Sequence, residues 1–208
     1  APALLPPFAV IRPEHVEPAM REVLAAGRAR IDELAAVDHP TFAQVVAPLE
    51  ELHHRVSRVW SPVSHLNAVL NSEQLRASYN ACLPLLSAYQ TDLAQSEPLY
   101  RAYEDIAERE AAALGPVERR VLQLALRDFR LAGVGLDADR KRRFKAVMLE
   151  LTQLQARFEE NVLDATNAWT HHVTDREHLR GLNEVIVEQA RKRAQDKQLD
   201  GWLLSLDQ

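Results

Sequence analysis

Histidine side chains are the groups in this sequence whose type and spacing come closest to a catalytic pattern. They include two adjacent pairs, His53-His54 and His171-His172. A zinc site of the H-E-x-x-H type places two imidazoles one helical turn apart, with a glutamate between them as base. That motif does not occur, and neither pair has another His or Cys three or four residues away. We expect solvated or helix-capping histidines and assign no catalytic and no metal-binding residue.

Nucleophilic chemistry has equally little support in the sequence. The single cysteine, Cys82, falls on the apolar face of a predicted helix, which predicts a core thiol rather than a reactive one. The patterns G-x-S-x-G and G-x-G-x-x-G and the P-loop pattern do not occur. With one cysteine no internal disulfide can form, which favours a reducing compartment.

Charged side chains are plentiful, but their neighbours predict exposed helix faces. The pairs Glu50-Glu51 and Glu159-Glu160 lie near arginines at neighbouring helical turns, as on a solvated surface. A basic run over 140–143, together with Lys145, occupies the first turns of the longest predicted helix, where the helix dipole disfavours cations. We expect acidic neighbours to balance this run; binding of an acidic partner or a peptide carboxylate is the alternative.

A group of polar residues near the end of the same helix is the strongest site candidate. Asn161, Asp164 and His171 are spaced three and seven residues apart, which places them on one face if the helix is continuous. Two interpretations stay open: a binding site, or a polar network that fixes helix packing.

The composition excludes several classes of protein. Hydrophobic residues make up 47% and charged residues 26% of the 208 positions, as in a globular protein. The net charge of -5 argues against nucleic acid as the main partner, because phosphate binding needs a basic surface. No apolar run approaches the roughly 20 residues of a membrane span, and the Pro-rich start lacks the basic region of a signal peptide. We predict a cytoplasmic protein without a membrane partner.

Apolar residues recur at three- and four-residue spacing, which predicts an all-α, multi-helix array. We expect an extended arm over 1–12 and helices over 13–199, including one long helix over about 137–171. A further helix is expected to run from 97 to about 114. The segment 201–207 resembles the start of a strand, with little left to pair with it.

Several residues mark where these helices begin or bend. The predicted N-caps are Thr41, Ser72 and Asp137, and Ser96 precedes the helix that opens at 97. Pro48 is expected to kink or tighten its helix. Ser61-Pro62 is expected to mark a bend followed by a short continuation, and Pro84 to kink a helix without breaking it.

Six segments, in order along the chain, resemble motifs of one enzyme family. They are 6–19 (PPFAVIRPEHVEPA), 61–67 (SPVSHLN), 83–87 (LPLLS), 127–136 (RDFRLAGVGL), 161–170 (NVLDATNAWT) and 201–207 (GWLLSLD). The family is the oligopeptidase A branch of the thimet oligopeptidase and neurolysin zinc metallopeptidases. Because the segments are distributed over nearly the whole chain, in family order and at near-family spacing, the resemblance is strong.

The resemblance implies an oligopeptidase that cleaves short peptides in a channel between two mostly helical halves. It implies that residues 1–208 form a single, non-catalytic N-terminal helical domain, with 200–208 beginning the next unit. The partner would be a C-terminal catalytic domain of the same polypeptide, which would hold the zinc. This chain is expected to form one wall of the channel, to restrict the channel so that only short peptides enter, and to bind no zinc itself.

Four residues are candidates for contact with the channel or the other domain, chosen for their polarity and their motif membership. They are Asn67, Asn161, Asp164 and Trp169. The alternative to the peptidase interpretation is an independent helical module that binds a protein partner and has no enzymatic parent.

Overall fold

The chain folds into two compact units, residues 1–153 and 154–208. The structure is a computed structural model that describes residues 5–206. Over those residues it contains seven α-helices and one two-stranded sheet. The elements are α1 (Pro13–Ala35), α2 (Ala47–Val69), α3 (Glu73–Ala94), α4 (Glu97–Arg109), α5 (Pro116–Leu131), α6 (Ala138–Ala168), β1 (Thr170–Val173), α7 (Glu184–Asp196) and β2 (Trp202–Ser205). The predicted all-α class is confirmed.

The core of the first unit forms around α1, whose apolar side packs against α2, α3 and α4. Met20 and Leu34 of α1 are fully buried in it, as are Leu99 and Tyr103 of α4. Burying one large apolar side chain is worth about 1.5–3 kcal/mol. This shared core therefore holds α1 together with α2, α3 and α4.

Side-chain caps begin four helical segments at positions that the sequence marks. Thr41, Ser72, Ser96 and Asp137 each accept a hydrogen bond from the backbone N–H three residues later, at 2.8–3.4 Å. Each bond satisfies one of the backbone donors that a helix start leaves without an intrahelical partner. The N-cap predictions at Thr41, Ser72 and Asp137 are confirmed.

The helices accommodate three prolines in different ways. Before Pro48 the chain forms a π-helical turn over Phe42–Val46, so the turn widens rather than tightens. Widening relieves the conflict between the proline ring and the carbonyl four residues earlier. The helix α2 then continues through Pro62 to Val69; Pro62 and Val63 are buried, and this packing outweighs one missing hydrogen bond. The helix α3 passes through Pro84 without a break, as predicted.

Two further boundaries differ from the sequence prediction. The helix α4 ends at Arg109 rather than near 114, and Glu110 instead accepts a hydrogen bond from the Phe42 backbone at 2.8 Å. Within the predicted extended arm, Phe8–Val10 form a single 3-10 turn, closed by a 3.1 Å bond from the Val10 N–H to the Pro7 carbonyl. Residues 1–4 of that arm lie outside the described residues.

The second unit contains a small sheet that the sequence prediction missed. The strands β1 and β2 pair antiparallel, with Thr170 opposite Ser205 and Val173 opposite Trp202. The prediction of helix through 171 is therefore wrong, because α6 ends at Ala168 and Thr170 starts a strand. The segment at 201–207 also has a strand partner, contrary to the prediction, although residues 207 and 208 lie outside the described part.

A small apolar cluster holds the second unit together. The buried side chains are Val173 of β1, Leu179 of a short 3-10 turn and Val187 of α7. Trp202 and Leu204 of β2 cover this cluster. Both strands, the 3-10 turn and α7 thus contribute to one apolar cluster.

Replacing Leu99 by Ala is expected to lower the free energy of unfolding by about 2–5 kcal/mol, because the side chain is fully buried and its loss leaves a cavity. Urea denaturation followed by circular dichroism measures the change. The matched control is Leu131→Ala at a side chain 73% exposed, where a change within about 0.5 kcal/mol is expected. Equal effects of both substitutions would contradict the packing described above.

Replacing Gly201 by Ala is expected to destabilise the second unit by about 1–3 kcal/mol. Gly201 has φ +86, and an added Cβ would overlap the backbone carbonyl of Val173, which cannot move without disturbing the sheet. Amide hydrogen exchange of β1 and β2 reports the loss of protection. Gly135→Ala is the control, because a Cβ at Gly135 meets open space; unchanged protection in the Gly201 variant would refute the close approach.

Candidate functional site

The second half of α6 and the residue that follows it include three of the four predicted site residues. Asn161 and Asp164 lie one helical turn apart, and both are exposed. Trp169 follows the last residue of α6, and its backbone N–H still bonds to the Ala165 carbonyl at 3.1 Å. Its ring stacks on His171 with the ring centroids 6.4 Å apart. The structure thus brings Asn161, Asp164 and Trp169 onto one continuous segment.

The histidine pair at 171–172 is not part of that helix face. His171 and His172 lie on β1, where neighbouring side chains point to opposite sides of the sheet. The Nε2 atom of His172 is 2.6 Å from the Asp200 carbonyl oxygen, so the ring connects β1 to the segment just before β2. The prediction that Asn161, Asp164 and His171 share one helix face is therefore wrong for His171.

Asn67, the fourth predicted residue, belongs to the first unit and is half-buried near the end of α2. Its carbonyl oxygen and its Oδ1 both accept from the Asn71 side-chain amide, at 2.9 and 3.0 Å. These bonds satisfy acceptors at the C-terminal end of α2. The contacts assign Asn67 a role in closing its helix.

The apolar residues of α6 are more exposed than the sequence pattern suggests. Leu154, Phe158, Val162, Ala165 and Trp169, which we name the α6 apolar face, are all exposed. The Phe158 side chain is 68% exposed and that of Trp169 is 45% exposed. No residue of α6 is buried, and every residue of this helix is described. The sequence pattern indicates an apolar side of the helix, and the structure shows that these five side chains are exposed to solvent.

The basic run at the start of α6 is balanced by acidic neighbours, as expected. Lys141 donates to Glu97 of α4 at 2.6 Å, and Lys145 donates to Asp92 of α3. Arg140 and Arg142 pair with Asp137 and Asp139 within their own first turns.

Asp92 is the centre of the largest of these charge groups. Its carboxylate also accepts from Arg28 of α1, at 2.6 Å, so three helices of the first unit meet there. Partial burial acts to raise the pKa of Asp92, but the hydrogen bonds and positive charges of Lys145 and Arg28 outweigh it and hold the pKa below its ordinary value. Sequence reasoning missed this group because its members are far apart along the chain.

Other candidate groups show no arrangement for chemistry. Cys82 is fully buried on α3, as predicted, and burial raises the pKa of its thiol. Between residues 5 and 206, no three His, Cys, Asp or Glu side chains are grouped so as to hold a metal ion. In the same range no helix has both the length and the apolar character needed to cross a membrane.

Comparison with known proteins agrees with this picture of a helical domain. A family model described as "Neurolysin/Thimet oligopeptidase, N-terminal domain" matches residues 20–141, more than half of the chain. The chain therefore belongs to the N-terminal domain family of the neurolysin and thimet oligopeptidases.

Individual relatives extend the similarity to nearly all of the sequence. Oligopeptidase A of Escherichia coli (strain K12) is 41% identical over 208 residues, which cover 99% of this chain and 31% of that protein. Oligopeptidase A of Salmonella typhimurium is 40% identical over 205 residues, 98% of this chain and 30% of that protein. The probable cytosolic oligopeptidase A of Arabidopsis thaliana is 33% identical over 178 residues, 85% of this chain and 25% of that protein. The chain thus spans less than a third of these relatives' length.

The lowered pKa of Asp92 predicts a stability that depends on pH. A carboxyl group whose pKa is lower in the folded state than in the unfolded state stabilises the fold at pH values above its unfolded-state pKa. This contribution is lost as the pH falls through the folded-state pKa. Unfolding free energies measured from about pH 7 to about pH 3 should decrease more in the wild type than in Asp92→Asn. Because the Asp92 side chain is 40% exposed, we expect a difference below about 1 kcal/mol.

The control for this measurement is Asp32→Asn. Asp32 is exposed on α1 and forms no salt bridge among the described residues. Its substitution should leave the pH profile of the wild type unchanged. If the free energies of unfolding of the wild type and of Asp92→Asn decreased equally as the pH falls, a stabilising role for the charge group would be refuted.

Proposed function

We propose that this chain is the non-catalytic N-terminal domain of a zinc-dependent oligopeptidase of the oligopeptidase A type. The observation that carries the proposal is the 41% identity with E. coli oligopeptidase A across 99% of the chain. Both compact units lie within the aligned region, so we propose that residues 1–208 act as a single N-terminal domain. A cytoplasmic location is part of the proposal, supported by the name of the Arabidopsis relative and by a single, buried cysteine.

We propose that this chain is part of a longer polypeptide, which we call the natural polypeptide, and that another part of it binds the zinc. The sequence contains no H-E-x-x-H, and the described residues offer no grouped metal ligands. The relatives are more than three times as long as the region they share with this chain. A C-terminal catalytic domain of the same polypeptide would fit in that additional length and is the proposed partner.

The proposed role of this domain is to form one wall of a substrate channel and to restrict the channel to short peptides. A peptide backbone presents N–H and C=O groups, which amide and carboxylate side chains can bond. Asn161 and Asp164 are exposed and offer such groups one turn apart, beside the exposed ring of Trp169. Asn67 is proposed as a fourth channel or interdomain residue, although its amide is engaged with Asn71.

The proposal predicts different activities for the natural polypeptide and for the 208-residue chain. The natural polypeptide should contain stoichiometric zinc and hydrolyse short peptides, with cleavage decreasing as the peptide becomes longer and absent for a folded protein. The 208-residue chain should bind no zinc and cleave nothing, because it lacks a ligand set. Metal analysis measures the zinc content of each protein. Chromatography after incubation with peptides of increasing length measures the cleavage.

Removal of zinc by a chelator is the control, since it should abolish cleavage by the natural polypeptide and zinc addition should restore it. Stoichiometric zinc or peptide cleavage in the 208-residue chain would overturn the non-catalytic role. A natural polypeptide without an H-E-x-x-H helix would instead support the independent interaction module.

A further inference from the structure

A cleft in the first unit lies between the N-terminal arm, the first turns of α1 and the second half of α2. Its volume is about 920 Å³, and we name it the arm cleft. The arm lines it with residues 5–8 and Ile11. The ring of Phe8 lies beside the His65 ring of α2, with the two centroids 5.6 Å apart. The arm cleft therefore has the size of a site for a small organic ligand.

The α2 side of the arm cleft carries a row of hydrogen-bond donors. His54, Arg58, Ser61 and His65 line the cleft at intervals of four, three and four residues. At 100° and 1.5 Å per residue, they fall within an arc of about 60° and extend over about 17 Å. A neutral imidazole and a hydroxyl each donate one hydrogen bond, and a guanidinium donates up to five. This side of the cleft therefore suits a ligand that has acceptor oxygens.

The fixed charge of the arm cleft is positive. None of the described residues that line it is an Asp or a Glu, and Arg58 forms no ion pair with any described residue. The acidic residues of α1 and α2 lie elsewhere: Glu17 bonds to Arg21 at 2.6 Å, and Glu51 lines a different cleft. An arginine stays charged at any physiological pH. The cleft therefore offers a cation that no carboxylate of its own walls neutralises.

The remaining walls of the arm cleft are mostly apolar. They consist of proline rings, one aromatic ring and aliphatic groups, namely Pro6, Pro7, Phe8, Ile11, Val16 and Ala19. Apolar walls hold the hydrophobic body of a ligand, while a few polar groups fix its orientation. From α1, His15 also lines the cleft, and its Nδ1 accepts from the Arg12 backbone N–H at 3.3 Å. That bond leaves Nε2 as the donor of the ring, so His15 adds a donor rather than an acceptor.

We propose that the arm cleft binds an apolar carboxylate, with the Arg58 guanidinium holding the carboxylate and the apolar walls holding the hydrophobic body. A carboxylate carries one negative charge, accepts two parallel bonds from a guanidinium and can still accept from a nearby imidazole or hydroxyl. A phosphate monoester carries about 1.5 to 2 negative charges, for which the cleft has a single fixed cation.

A free organic acid and the C-terminal residue of a peptide share this chemistry, and both are sources of such a ligand. The binding site belongs to the first unit alone. It therefore does not depend on the proposed peptidase function.

Titration of the isotopically labelled 208-residue chain with 3-phenylpropionate, followed by two-dimensional NMR, tests the proposal. We expect the amide signals of residues that line the arm cleft to shift, with a Kd of about 1 mM or lower for a ligand of this size. The uncharged analogue 3-phenylpropionamide should bind at least about tenfold more weakly. Phenyl phosphate should also bind more weakly than the carboxylate.

The substitution Arg58→Met removes the charge and keeps an apolar stem of similar length. Arg58 is exposed, so the fold should be retained, which circular dichroism checks. The Kd for 3-phenylpropionate should increase at least about tenfold. Arg55→Met is the matched control, because Arg55 lies one turn earlier on α2 and lines a different cleft. Its Kd should change by less than about twofold, since solvent and salt screen a charge outside the site.

A blocked dipeptide ending in phenylalanine distinguishes the two sources of the carboxylate. If its free acid binds more tightly than 3-phenylpropionate and its amide does not, the site holds a peptide C-terminus. If its free acid binds more weakly than 3-phenylpropionate, the site holds a free organic acid. Either result retains the apolar carboxylate as the ligand.

Three results would overturn the proposal. They are equal binding of 3-phenylpropionate and its amide, tighter binding of phenyl phosphate, and an unchanged Kd in Arg58→Met. The absence of shifts around the arm cleft at ligand concentrations up to about 10 mM would do the same. None of these results concerns zinc content or peptide cleavage by the natural polypeptide, so the proposed function is tested separately.

Discussion

The close approach of α1 and α3 at Gly27 is the contact on which the first unit depends. A Cβ at Gly27 would lie 2.8 Å from the hydroxyl of Tyr89, so a larger residue at this position would have to displace the ring. Tyr89 is buried there, and the next residue along α1, Arg28, lies over its ring. With the two helices at this distance, the Arg28 guanidinium also reaches Asp92, one turn further along α3. One small residue thus sets both the apolar packing and the charge group beside it.

The charge group at Asp92 connects the start of α6 to the core, although it supplies little stability. Lys145 reaches Asp92, and Lys141 reaches Glu97 one helix further on. Exposed ion pairs are worth about 0.2–1 kcal/mol each, so these bonds specify where the first turns of α6 lie more than they hold the helix there. Lasting stabilisation of a 31-residue helix needs apolar burial, and most apolar residues of its second half are exposed, although Leu163 is half-buried. The two halves of α6 therefore depend on different interactions.

Local rules predicted the parts of this fold that local interactions determine. The N-caps at Thr41, Ser72 and Asp137 were predictable because a cap involves residues three positions apart. The sheet was not, because the pairing of Thr170 with Ser205 joins segments that no local pattern relates. The helical pattern over 161–168 predicts helix as far as His171 by continuity alone, but pairing with β2 makes 170–173 a strand. Among the candidate site residues, Asn161, Asp164 and Trp169 are exposed, while Asn67 is hydrogen-bonded to Asn71, a contact that its residue type alone does not predict.

The polar segment at the end of α6 combines two kinds of residue because a helix separates neighbours in sequence. Asn161 and Val162 are adjacent, yet they are 100° apart around the axis. The same stretch therefore carries Val162 and Trp169 on one side of the helix axis and Asn161 and Asp164 beside them. The turn into β1 follows directly, and Gly201 allows β2 to approach the Val173 carbonyl there. The small sheet thereby borders the end of the α6 apolar face, where the ring of Trp169 stacks on that of His171.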